Sequence, residues 1–68
     1  MIKAGDKFLD VKLGKEFTII EIIKDESDWC LIEAENVTFK GKFYSKFRNS
    51  MGVQRIIDCV NSGELKQI

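Results

Sequence analysis

The residues with chemistry to offer are carboxylates, two thiols and a run of cations interleaved with aromatic rings. Asp25, Glu26 and Asp28 form the densest acidic group. As hard oxygen donors they can hold a divalent cation weakly, but they lack the ligand spacing and the glycine of a calcium loop. A solvated hairpin tip, built of residues that bond their own backbone, accounts for them more simply. Cys30 and Cys59 are far apart in sequence and each sits among apolar neighbours, Trp-Cys-Leu-Ile and Ile-Ile-Asp-Cys-Val. They read as two reduced core thiols, with a disulfide only in an oxidising compartment. The chain has no histidine, which removes Ser-His and Cys-His nucleophiles and the commonest metal ligand. No P-loop, dinucleotide fingerprint or zinc spacing is present. We expect no catalytic residues, no metal and no cofactor, and read the chain as non-enzymatic.

The cations are distributed unevenly. Residues 1–37 carry five lysines against nine acids, whereas residues 38–68 carry Lys40, Lys42, Lys46, Arg48, Arg55 and Lys66 against Asp58 and Glu64. A net charge of zero thus hides an acidic half and a basic half. From Thr38 to Ile57 there is no acid, and the basic residues alternate with Phe39, Phe43, Tyr44 and Phe47. Such a segment can meet a phosphate backbone, with Tyr44 or Phe47 as a platform for base stacking. If Phe39 and Phe43 face the core, then Lys40, Lys42 and Tyr44 share the exposed face; Arg48 and Arg55 share a helix face only if a helix starts early. The same lysines also suit the solvated side of an edge strand, where they discourage aggregation without any ligand. A pI of 6.2 and the lack of an arginine-rich cluster weigh against a dedicated nucleic-acid binder.

These residues must be positioned by a small frame. Sixty-eight residues make one domain, 1–68, and 44% hydrophobic content makes it globular. A core of this size rarely supplies more than ~3–5 kcal/mol, so oligomerisation is a natural source of further stability. Gly5-Asp6 opens a short strand over Lys7–Leu9, and Lys12-Leu13-Gly14-Lys15 makes a turn. Glu16–Lys24 is the best strand, rich in β-branched and aromatic residues. Alternation puts Phe17, Ile19, Glu21 and Ile23 on one face and Thr18, Ile20, Ile22 and Lys24 on the other. Both faces are apolar enough to be covered, one of them by a helix or a partner. Trp29–Ala34 returns as a third strand, Glu35-Asn36 reads as a turn, and Val37–Tyr44 as a fourth strand with Gly41 marking a bulge or bend. Tyr44–Ser50 is ambiguous, since Tyr44, Phe47 and Met51 keep a spacing that suits a helical turn.

Val53, Ile56, Ile57 and Val60 then form one apolar helical stripe, with Asn49 or Ser50 as N-cap and Ser62-Gly63 as the stop. Glu64–Ile68 adds a last short strand or docked tail. The expected fold is α+β: a curled antiparallel meander of four to five strands, an SH3-like partly open barrel or a flatter sheet, with one helix near 50–61. Gly-Asp-Lys-Phe-Leu-Asp followed by Gly-Lys-Glu-Phe-Thr-Ile-Ile-Glu-Ile resembles the start of small SH3-like β-barrel proteins of bacteria and their phages, over residues 5–34. The resemblance implies a binding fold with no catalytic signature.

The longest nearly apolar run, Phe17–Ile23, is too short to span a bilayer, and Met-Ile-Lys-Ala-Gly-Asp has no apolar signal region. We expect a cytoplasmic protein without membrane contact. The charge division favours docking onto a protein partner or another copy of the chain, such as a phage- or plasmid-borne modulator of a host protein. Nucleic acid is the second reading. The candidate contacts are Trp29, Tyr44 and Phe47 with Lys40, Lys42, Lys46, Arg48 and Arg55, the spare apolar face near Trp29 supplying a hydrophobic centre.

Overall fold

The computed structural model describes residues 2–23 and 28–68. Most of the expected turn Asp25-Glu26-Ser27-Asp28 lies outside the described residues. The elements run β1 (Lys7–Asp10), β2 (Lys15–Ile23), β3 (Trp29–Phe39), β4 (Lys42–Gly52), α1 (Val53–Ser62) and β5 (Leu65–Gln67). All neighbours pair antiparallel in one open sheet of order β4-β3-β2-β1-β5. The α+β meander with a C-terminal helix is therefore the fold of this protein, with β4 and β5 as its edges. Among the described residues no helix is long and apolar enough to cross a membrane.

Backbone chemistry sets the corners. Asp10 organises the first turn: its carbonyl accepts from Gly14 N–H at 2.8 Å and its side chain from Leu13 N–H at 3.0 Å. Gly14, at φ 69°, takes the left-handed conformation that glycine adopts without steric cost. The helix ends on Gly63, at φ 87°, whose N–H donates to the Val60 carbonyl at 3.2 Å.

Its start differs from expectation. Gly52, not Asn49 or Ser50, is the N-cap, and it offers no side-chain cap. The cause is strand pairing, since β4 stays in register with β3 as far as Trp29↔Gly52, so no helical turn forms over Tyr44–Ser50.

The core lies between the sheet and α1. Phe8, Phe17, Ile19, Cys30, Ile32, Ile56 and Leu65 are buried together, with Ile22, Met51, Val53 and Cys59 packed against them. Phe8 and Phe17 stack at 5.7 Å between ring centroids. Of the expected helical stripe, Ile56 is fully buried and Val53 packs against the core, whereas Val60 is left exposed and Cys59 packs inward.

Three strand assignments change. The register of β2 against β3 slips between Ile19 and Glu21, leaving Ile20 in a bulge. Past it, Ile22 pairs with buried Cys30 and packs on the core, while Glu21 and Ile23 pair with Leu31 and Trp29 on the outer face. Simple alternation had put Ile23 with Phe17 and Ile19; the extra residue exchanges it for Ile22. Next, Glu35-Asn36 is not a chain reversal, because β3 runs on to Phe39. Lys40 (φ 51°) and Gly41 (φ 77°) make the reversal instead. Two successive positive φ values between paired Phe39 and Lys42 are the mark of a type I′ hairpin turn. Gly41 is thus a turn residue rather than a mid-strand bend.

Candidate docking groove

Asn36 keeps a left-handed backbone, φ 54°, inside β3. The pairing with β4 continues across it without a slip, from Glu35↔Lys46 to Val37↔Tyr44. The side-chain alternation does not. Before Asn36 the inward residues of β3 are Cys30, Ile32 and Ala34, yet Val37 lines the same groove as Ile32 and Ala34. One left-handed residue has exchanged the faces of the strand.

The consequence is an arm. β2 pairs with β3 only as far as Ala34, so the part of the β3–β4 hairpin beyond it, residues 35–46, is bonded only between its own two strands. With the faces exchanged, Val37, Phe39 and Tyr44 continue the inward face of the body. Phe47 joins them: its ring lies 5.1 Å from Phe39 and 5.3 Å from Tyr44. Phe39 remains 42% exposed, and Phe43, opposite Thr38, is 62% exposed. The condition that Phe39 and Phe43 face the core, on which Lys40, Lys42 and Tyr44 were to share an exposed face, is not met, because the arm extends past the reach of α1.

Beside the arm, α1 leaves part of the inward face open. The opening is a groove of about 270 Å³, floored by Phe17, Ile32, Ala34, Val37, Phe47 and Met51. Arg55 and Cys59 of α1, with Asp10, Lys15, Glu16 and Glu64, also line it. Apolar floor and charged rim together make a surface that can take a side chain or an extended segment.

The candidate residues divide into three groups. Lys40, Lys42, Tyr44 and Phe47 are brought together on the arm, with the Lys40 ammonium 5.4 Å from the Phe39 ring centroid and that of Lys42 5.5 Å from Tyr44. Lys46 and Arg48 point to the outer face, opposite Glu35 and Glu33. Arg48 Nε donates to Glu33 Oε2 at 2.9 Å, the one ion pair among the described residues. The charge division of the sequence is therefore partly cancelled by the hairpin, which lays the end of the acidic half against the basic half.

Arg55, on α1, borders the groove but shares no helix face with Arg48, which lies in β4. Trp29 stands apart. It is half-buried at the far end of β3 against Gly52, ten residues from Phe39 and on the order of 30 Å away at ~3.3 Å per residue.

Sequence reasoning missed the floor residues Phe17, Ile32, Ala34, Val37 and Met51. The signal for Val37 was Asn36, a residue that tolerates the left-handed region, followed four residues later by Lys40-Gly41. Of the two thiols, Cys30 is buried and donates from Sγ to the Met51 carbonyl at 3.3 Å, and its burial pushes the thiol pKa up. Cys59 is half-buried beside the groove; both are free. Compared with family models, curated proteins and solved structures, the chain matches none.

Proposed function

We propose that this protein is a small, non-enzymatic binding module that works through contact with another protein or with a second copy of itself. The observation that carries this reading is the apolar groove running from the body onto the arm, with Phe39 left exposed beyond it. Clustered aromatic rings around an open apolar floor are what interface centres are made of. A host-directed modulator of phage or plasmid origin fits the size of the chain and the binding fold implied by its resemblance to SH3-like proteins.

A second reading, nucleic-acid binding, is favoured by one observation: Lys40 and Lys42 each lie over an aromatic ring, the pairing a single-stranded backbone and its bases would use. Against it, the cations here are few and one of them, Arg48, already pairs with Glu33, short of the arginine-rich cluster a dedicated nucleic-acid binder carries.

Light scattering after size exclusion separates the two, at ~50 mM and ~500 mM salt, with and without a mixed oligonucleotide pool. Protein contact predicts a mass unmoved by oligonucleotide at either salt, and a discrete oligomer at both if the partner is another copy. A complex with oligonucleotide at low salt that dissolves at high salt would overturn the first reading in favour of the second.

A further inference from the structure

We infer that the open edge of β4 takes up an extended, acidic and apolar segment of a partner protein as a sixth strand. The inference rests on the reading of this chain as a protein-binding module and names the partner's chemistry. Three features of β4 converge on it.

The first is the backbone. β4 ends the sheet order and runs eleven residues, Lys42–Gly52, with pairing on one side only. A strand of that length presents a row of donors and acceptors ready for another strand. The opposite edge, β5, offers three residues. One amide of β4 is capped locally, Ser50 N–H donating to Asn49 Oδ1 at 2.9 Å, a bond that a side chain can release by rotation.

The second is the groove, which lies directly inside this edge. Phe47 and Met51 of β4 belong to its floor, and Tyr44 packs on Phe47. A strand added to β4 sends every other side chain to that face, so alternate apolar residues would extend the groove wall beside Phe47 and Met51.

The third is charge. β4 carries Lys42, Lys46 and Arg48 and no acid. Arg48 spends Nε on Glu33, while its side chain stays 62% exposed and able to offer its terminal nitrogens. Lys46 makes no ion pair with Glu35 across the ladder. The same charges disfavour a second copy of β4 as occupant. An antiparallel pair of β4 strands centred on Phe47 would set Lys46 against Arg48, and like charges directly opposite destabilise a ladder. Carboxylates on the residues facing away from the groove meet Lys46 and Arg48 instead, on the outer face.

The test uses fluorescent eight-residue peptides titrated into the full chain by anisotropy, with amide shifts followed by NMR. The probe alternates Val and Asp; one control replaces Asp by Lys, and another places Pro at alternate positions to remove the ladder N–H groups. The acidic probe is expected to bind at least about tenfold tighter than either control, with the largest shifts in residues 42–50. The exposed double substitution K42E/K46E, checked for folding by circular dichroism, should reduce or reverse that preference.

Binding that ignores charge, tolerates proline or maps away from β4 would overturn the inference. So would the failure of every peptide to bind. If the protein then remains indifferent to oligonucleotide in light scattering, the protein-binding reading survives without strand addition; if oligonucleotide binds at low salt, that reading has failed as well.

Discussion

The body and the arm use the same material for opposite ends. Both are built of antiparallel strands rich in apolar residues, yet the body closes over Phe8, Ile19, Cys30 and Ile56, while the arm leaves Phe39 and Phe43 in solvent. What separates them is cover. α1 returns across the sheet from the end of β4 to β5 and packs its stripe on the body, and the hairpin beyond Ala34 has neither helix nor third strand. Apolar area under the helix stabilises the fold; apolar area beyond it is available for a partner. Substitutions matched across the two regions can break or sharpen that distinction.

The largest difference should come from side-chain truncation. Ile56→Ala removes a fully buried side chain from the centre of the core and should cost about 3 kcal/mol, within the usual range for such deletions. Against a total of only ~3–5 kcal/mol that leaves ~0–2 kcal/mol, between a few per cent and half of the protein unfolded at 25 °C. Phe43→Ala deletes a larger side chain from the arm and should change stability by less than ~0.5 kcal/mol. Urea denaturation followed by tryptophan fluorescence reads both. A comparable loss in the two variants would mean that the arm belongs to the core after all.

A glycine pair probes the same boundary through the backbone. Gly41 and Gly63 both hold positive φ, and a Cβ at either meets nothing within 4 Å, so alanine there adds backbone strain and no clash. The strain should be about 1 kcal/mol at each site. In Gly63→Ala it appears as a lower urea midpoint, because the helix cap is part of the cooperative unit. In Gly41→Ala it should appear as amide exchange about fivefold faster over residues 37–44, with the global midpoint moved by less than ~0.5 kcal/mol. Equal midpoint shifts would show that hairpin and body unfold as one.

How much of this was legible follows from which rules the chain obeys locally. β1, β2, the start of β3, α1 and β5 were readable because their apolar spacing, turn glycines and the helix stop at Gly63 agree with the tertiary structure. The faces were not, for a reason shared by two positions. The bulge at Ile20 and the left-handed Asn36 each change side-chain parity without changing composition, and parity is all that alternation reads. Asn36 did signal a positive φ, but a single such residue can exchange faces as well as reverse a chain. Lys40, a residue type rarely left-handed, concealed the true reversal, and with it the arm that gathers Lys40, Lys42, Tyr44 and Phe47.

A smaller effect distinguishes the two thiols. Burial raises the pKa of Cys30, so the folded protein keeps this proton over a range of pH in which the unfolded chain has lost it. Stability from this source is complete below the ordinary thiol range and declines as pH rises through it. Cys30→Ala should flatten the alkaline slope of the urea midpoint, although it lowers the midpoint itself by removing a core atom. In the native protein at pH 8, thiol reagents should label Cys59 at the groove well before Cys30. Equal labelling rates would mean that the body opens as readily as the groove.

The smallest effect is expected at the seam. Glu33 and Arg48 lie one residue inside the end of β2 pairing, where the body gives way to the arm. Their bond is short, 2.9 Å, but Arg48 is 62% exposed, and an exposed pair gives back much of its Coulomb attraction to water and to side-chain entropy. A double-mutant cycle of Glu33→Gln and Arg48→Gln should return a coupling of ~0.5 kcal/mol or less, diminishing further with added salt. A coupling of ~2 kcal/mol that persists in salt would make this pair a staple between the two regions. Arg48 would then be committed to holding the arm in place, and the edge of β4 would lose one of the three cations offered to an incoming strand.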